Sequence, residues 1–318
     1  MKTVRIFYNP NSGKKEDQLA SDVRDYFLHH GFSEKDVEVI TPKDADQAFL
    51  LAKQAAKDHI DLVIPLGGDG TLNKIIGGVY EGGAHCLIGL VPSGTVNNFA
   101  KALHAPLQTS EALDTILSGQ VKKVDICKAN HHYMISSLTL GLLADIAADV
   151  TADEKRRFGP LAFLKDSIRI LRRNRSYHIS LISHNHHIHL KTKFLLITMT
   201  NTIAGFPSFS PGAQADDGYF QVYTMKKVSF FKFLWHINDF RQGDFSKAEE
   251  ISHFQANSLT LQPQHHKQAI SPRSRIDGDK SDYLPIQLDL IPKAVSIIVP
   301  KRQLKNVPYG TFLSYLKG

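Results

Sequence analysis

The chain has little cysteine and no long apolar run, and each shortage excludes something. Of 318 residues only Cys86 and Cys127 are cysteines, each inside an apolar stretch. A disulfide scaffold is excluded, and free buried thiols in a reducing cytoplasm are expected. Nothing approaches the roughly 18–20 consecutive apolar residues of a membrane span. The opening "MKTVRIFYNP" lacks the apolar core and cleavage site of a signal peptide. Internal repeats and low-complexity linkers are also missing.

What is present suffices for a core. The composition is 42% hydrophobic and 22% charged, and the length favours two domains. The formal net charge is +7. Between Lys155 and Arg175 lie eight basic residues and one acid, so this stretch alone could account for the excess. Charge concentrated in this way suggests a contact surface for an anionic partner.

The first 125 residues alternate strand and helix. "TVRIFY" (3–8), "DVEVIT" (36–41), "DLVIPL" (61–66) and "CLIGLVP" (86–92) read as buried strands. Glu16 to His30 reads as a helix closed by Gly31. Thr41 and Pro42 are expected to open a second helix reaching about Asp58. Such alternation gives a parallel sheet covered on both faces. Beyond "VKKVDICKAN" (121–130) the texture becomes alternating and β-rich over 178–200, 219–225, 257–262 and 285–300. The junction is expected near residue 125. The histidines of "SHNHHIHL" (183–190) fall on both faces of a strand or turn and read as an exposed hairpin rather than a metal site.

Three early strands end in similar loops: "NPNSGKK" (9–15), "GGDGTLN" (67–73) and "PSGTVNN" (92–98). At the carboxyl ends of parallel strands, such loops line one crevice. They offer backbone N–H groups and small polar side chains, and two lead into helix N-termini, which suits phosphate. Neither familiar motif is met. Position 8 is Tyr and position 15 is Lys, which breaks the P-loop pattern, and Asn73 stands where the dinucleotide fingerprint wants glycine. Asp69 among phosphates would repel them unless a divalent cation such as Mg²⁺ lay between, so phosphoryl transfer is implied.

"NPNSG", "GGDGTLNKIIGG", "GTVNNFAKAL", "KVDI", "AGFPSFSPGAQADDGYF" and "RIDGD" occur in the order seen in the bacterial diacylglycerol kinase family. The chain resembles those lipid kinases, relatives of sphingosine and ceramide kinases, over nearly its whole length. The resemblance implies an α/β plus all-β fold: a doubly wound nucleotide-binding domain over 1–125, completed by 300–318, and a β-sandwich lipid-substrate domain over 126–299. It implies ATP in the cleft between them and a cytoplasmic enzyme peripheral to the membrane's inner face, with no nucleic-acid partner. A homodimer is compatible with it.

Position by position, the resemblance assigns nucleotide contacts to Asn9, Pro10, Asn11, Ser12, Gly13, Thr41, Gly67, Gly68, Asp69, Gly70, Thr71, Leu72, Asn73, Thr95 and Asn98. It assigns a structural Mg²⁺ to Gln214, Asp217 and Tyr219, with Gln214 and Tyr219 acting mainly through backbone carbonyls. Asp-Gly in "DDGYF" is also a strong hairpin signal. The family's general base, a Glu after "DG", falls on Asp279, a shorter carboxylate. Asn98 stands where Asp is common. These departures leave room for a lipid-binding homologue with weak turnover, and the shared "GGDG" makes NAD kinase the enzymatic alternative. In "LAFLKDSIRILRR" (161–173), Leu161, Leu164, Ile168 and Leu171 gather opposite Lys165, Arg169, Arg172 and Arg173, as in a helix lying on anionic lipid.

Overall fold

The structure is a computed structural model that describes residues 1–8, 14–141, 176–183, 186–203, 209–225, 251–264 and 272–301. The basic segment 161–173 and the loop 9–13 lie outside the described residues. Two compact units form. The first holds Met1–Ser136, Gln214–Gly218 and residues 290–301; the second holds Ser137–Ala213 and Tyr219–Asp289. Residues 302–318, which make up nearly all of the segment expected to complete the first domain, lie outside the described residues.

In the first unit the elements are β1 (Val4–Phe7), α1 (Lys14–His29), β2 (Val37–Ile40), α2 (Ala45–Lys57), β3 (Leu62–Gly67), α3 (Asp69–Glu81), β4 (Leu87–Gly89), β5 (Val91–Pro92), α4 (Asn98–Ala102), α5 (Thr109–Ser118), β6 (Gln120–Ala129) and β7 (His132–Met134). β4, β3, β1 and β2 lie side by side and all pairs are parallel, with Ile6 between Ile64 and Val39. β3 is buried at every position because helices cover both faces of the sheet. Leu62, Ile64 and Leu66 point into one core with Val23 and Phe27 of α1 and Leu113 and Ile116 of α5. Val63 and Phe7 point into the other, with Ala52 of α2 and Ile75 and Ile76 of α3. Each large apolar side chain so buried contributes roughly 1.5–3 kcal/mol.

α2 and α3 pack closely because α3 carries glycine at the contact. A Cβ on Gly78 would stand 2.3 Å from the Phe49 carbonyl oxygen, and one on Gly77 would stand 2.4 Å from the Tyr133 ring. The "GG" of "KIIGG" is therefore a packing device.

α2 begins later than the sequence suggests. Thr41 and Pro42 do not open it; Asp44 is the N-cap and accepts the Gln47 N–H at 2.7 Å. Gln47 Oε1 reaches back to the Lys43 N–H at 2.7 Å. This reciprocal pair satisfies two donors at the helix entrance, which Thr41 would have had to do alone.

The second unit is a β-sandwich of β8 (Ser137–Gly141), β9 (Tyr177–Ser183), β10 (His186–Thr192), β11 (Phe194–Thr198), β12 (Phe220–Met225), β13 (Ile251–Ala256), β14 (Ser258–Pro263), β15 (Arg273–Ile276), β16 (Asp279–Tyr283) and the start of β17 (Ile286–Val299). One sheet runs β13-β12-β11-β8-β15-β16, antiparallel throughout. β10, β9, β14 and β17 residues 286–289 form antiparallel pairs in the other. The histidine-rich stretch is the β9–β10 hairpin, with His187 and His189 exposed. Residues Ser296–Ile298 of β17 pair in parallel with β4 and so belong to the first unit's sheet. The β6–β7 hairpin also stays with that unit, since Val124, Ile126 and Tyr133 lie in its core. No helix among the described residues is long and apolar enough to cross a membrane.

Candidate active site

Parallel pairing puts the carboxyl ends of β1, β2, β3 and β5 on one edge of the first unit. Thr41, exposed, follows β2; Gly68 to Asn73 follow β3; Thr95 lies in the loop after β5, and Asn98 opens α4 at the end of that loop. Asn9, Pro10, Asn11, Ser12 and Gly13 lie outside the described residues.

The β3 and β5 loops are locked together by backbone contact and one carboxylate. A Cβ on Gly94 would stand 2.3 Å from Gly68 Cα, so only glycine allows the two chains to touch there. Asn97, left-handed at φ 54°, closes its own loop: Oδ1 accepts the Gly94 N–H at 3.0 Å and Nδ2 donates to the Gly94 carbonyl at 2.7 Å. Asp69, only 7% exposed, then accepts the Asn98 N–H on Oδ2 at 2.9 Å and the Phe99 N–H on Oδ1 at 3.0 Å. α4 is thus capped by a residue from the opposite loop. A carboxylate at a helix N-terminus gains from both hydrogen bonding and the helix dipole.

Gly68, Gly70 and Thr71 remain half-buried at this edge, whereas Leu72 and Asn73 turn inward and Leu72 joins the core. Lys101, at the far end of α4, is buried near Asp69. Burial pulls its ammonium below the ordinary lysine range, while the Asp69 charge opposes that pull.

The turn carrying Gln214 and Asp217 is tied down by a residue to which the sequence reading gave no role. Asp125 of β6, 2% exposed, accepts the Gly218 N–H at 2.8 Å and the Lys293 N–H at 2.7 Å; its own N–H donates to the Ala215 carbonyl at 2.7 Å. Lys122 pairs with Asp216 at 2.9 Å. Within the turn, Asp217 Oδ2 accepts the Gln214 N–H at 2.9 Å. Tyr219 follows and is exposed. A carboxylate beside backbone carbonyls on a fixed turn is an oxygen donor set that fits a hard divalent cation. The quoted "KVDI" was the signal that could have drawn attention to Asp125.

Asp279 lies at the start of β16, exposed. It follows a tight turn in which Asp277 and Gly278 both have positive φ, 49° and 92°. Asp277, 6% exposed, accepts the Ser137 N–H at 2.9 Å and donates its own N–H to the Ser137 carbonyl at 2.8 Å. Arg275 Nη1 donates to the Gly278 carbonyl at 2.6 Å. Of the two carboxylates, one holds the hairpin and the other is presented to solvent.

Residues 3–129 match the diacylglycerol kinase catalytic domain, and residues 136–299 match the YegS C-terminal NAD kinase beta sandwich-like domain. A diacylglycerol kinase of Staphylococcus epidermidis is 29% identical over 302 residues, 94% of this chain and 93% of the relative. One of Bacillus subtilis is 27% identical over 310 residues, 96% of this chain and 99% of the relative. A crystal structure of a diacylglycerol kinase from Bacillus anthracis shares the fold with a TM-score of 0.70 at 19% identity, covering 94% of this chain and 97% of that one. Fold and matches together define an ATP-dependent kinase that phosphorylates an alcohol group and works with a divalent metal. The chain belongs to the diacylglycerol kinase family of lipid kinases.

Proposed function

We propose that the chain transfers the γ-phosphoryl group of ATP to the free hydroxyl of diacylglycerol, giving phosphatidic acid, with Mg²⁺ as the metal. The observation that carries this reading is the locked pair of loops after β3 and β5, where glycine backbone, Thr71 and Asp69 converge at one sheet edge. ATP supplies the phosphoryl group when bound. Asn9 to Gly13, Thr41, Gly67 to Thr71 and Thr95 take its phosphates and sugar through backbone N–H groups and hydroxyls, while Leu72 and Asn73, turned inward, support the loop from behind. Asp69, besides capping α4, would help to hold the cation, which would neutralise the phosphates, and Asn98 would offer a neutral carbonyl where a carboxylate would bind more tightly.

Gln214, Asp217 and Tyr219 would hold a structural cation, whose charge would stiffen the turn that Asp125 already anchors. Asp279 takes the proton of the lipid hydroxyl as its oxygen bonds to phosphorus and the bridging oxygen leaves with ADP. We assign the nucleotide to the first unit and the lipid to the second. The basic stretch 155–175 would bring the enzyme to the inner face of an anionic membrane, a contact that salt should weaken.

An ATP-dependent assay on detergent-dispersed diacylglycerol, ceramide, sphingosine and NAD tests the reading. Diacylglycerol should be the preferred acceptor. Preferential phosphorylation of NAD or of a sphingoid base, or no transfer at all, would overturn it.

A further inference from the structure

Gln221 carries a buried donor that the protein does not use. It is 1% exposed, and its side-chain oxygen accepts from His253 Nε2 at 2.8 Å. That oxygen can only accept, so His253 holds its hydrogen on Nε2. Burial also lowers the His253 pKa, favouring the neutral ring. The Gln221 nitrogen, with two N–H groups, has no hydrogen-bond acceptor among the described residues. An unmet buried amide is costly, and folded proteins leave few of them without a use.

The surroundings narrow what could meet it. On β12, Gln221, Tyr223 and Met225 alternate onto one face, beside Thr198, Leu196 and Phe194 of β11. Tyr223 stacks on His253 with ring centroids 4.6 Å apart and shares a hydrogen bond with the buried Ser210 hydroxyl at 2.8 Å. Phe194, Leu196 and Tyr223 form an apolar cluster, with Met225 and Ile251 partly exposed at its margin. The missing group is therefore an acceptor attached to an apolar body. A carboxylate would need a counter-charge, which neutral His253 does not give. A neutral carbonyl fits.

We infer that this face of the six-stranded sheet is a subsite for an ester carbonyl of the acyl substrate, with Gln221 as its hydrogen-bond donor and the adjoining cluster as the seat of the acyl chain. The inference rests on the acyl-glycerol reading above and adds a residue that sets specificity between ester and ether lipids.

The experiment compares dioctanoylglycerol with 1,2-di-O-octylglycerol, its diether analogue without carbonyls, by calorimetric binding and by phosphorylation, in wild type and Gln221→Met. Wild type should favour the ester by roughly 2- to 12-fold in both Kd and kcat/KM, the range of one net hydrogen bond. Gln221→Met keeps the volume and removes both the unmet donor and the acceptor of the His253 N–H; since His253 is exposed, water can take up that N–H, and the variant should melt close to wild type and show no ester preference. Equal use of ester and ether by wild type overturns the subsite while leaving the kinase reading intact, and it requires no variant. A preference retained in Gln221→Met also overturns it. Selective ester binding without phosphorylation would support the subsite and sink the kinase reading; failure of both lipids to bind would sink both.

Discussion

Asp69 caps a helix that begins twenty-nine residues later, taking the N–H of Asn98 on one carboxylate oxygen and that of Phe99 on the other. The residue closest to the proposed phosphate site thus also fixes the shape of that site. Asp69→Asn replaces one accepting oxygen by an N–H₂ facing an N–H donor. The variant should fold with a loss of about 1 kcal/mol but lose lipid phosphorylation by orders of magnitude, because phosphoryl transfer depends on positioning and charge. Thermal unfolding and turnover measured on one sample check this. Near wild-type turnover in the folded variant would remove Asp69 from the chemistry.

Asn98 permits a test in the opposite direction. Its backbone N–H already serves Asp69, so its side chain is the part that can change without loss of the cap. Asn98→Asp adds a carboxylate in the first turn of α4, a favourable place for one. The Mg²⁺ concentration for half-maximal activity should fall. A titration curve that stays put would place Asn98 outside the metal's shell.

The two glycine contacts should separate stability from activity. Gly78→Ala would press a methyl against the Phe49 carbonyl between α2 and α3. Such overpacking costs roughly 1–3 kcal/mol, and the residual folded protein should keep its affinity for ATP. Gly94→Ala would push the β5 loop off Gly68. That variant should lose ATP affinity out of proportion to any drop in melting temperature. Equal effects of the two on ATP binding would show that the loop contact has no special role.

Much of this was legible in the sequence because it is local. The continuous apolar run of β3 announces a strand buried on both faces, and Gly31, at φ 87°, closes α1 as expected. The histidine hairpin follows from alternation alone. What was not legible depends on partners far along the chain. Asp125 bonds to Gly218 and Lys293, which are 93 and 168 positions away. The two glycines of "KIIGG" have no evident role in the sequence until Phe49 and Tyr133 are seen against them. Asp44 displaced Thr41 as a cap because Gln47 answers it, a pairing that a proline at position 42 obscured.

Cys86 should behave as an inert thiol. Burial pushes its pKa up to about 11, with the Asp61 charge adding to the shift. At pH 8 the native thiolate is then roughly one part in a thousand. A raised pKa in the folded state means that the associated stability is intact below the unfolded value. It is lost as pH climbs from about 8.5 toward the folded value. Iodoacetamide should therefore modify Cys86 only as fast as the protein opens, and urea should accelerate the reaction. Rapid alkylation of native protein at pH 8 would contradict this.

Asp277 and Asp279 sit two residues apart in one hairpin, and the structure gives them different work. Asp277 is buried on the Ser137 backbone, whereas Asp279 is exposed at the start of β16. An alcohol is a poor nucleophile at neutral pH, and a placed carboxylate that accepts its proton contributes typically about 10²–10⁴-fold. Asp and Glu have similar intrinsic pKa values, about 3.9 and 4.3, so reach is what distinguishes Asp279 from the family's Glu. The tight turn fixed by Asp277 sets that reach. Asp279→Ala should therefore nearly abolish lipid phosphorylation while ATP binding and melting temperature hold, and Asp279→Glu should be neutral or harmful. Asp277→Ala should lower the melting temperature, since it strands the buried Ser137 N–H at a cost of about 1–3 kcal/mol. If Asp279→Ala keeps substantial kinase activity, the proton goes elsewhere. If Asp279→Glu instead raises activity, the hairpin has not adjusted to the shorter side chain, and this enzyme works below the rate that its fold permits.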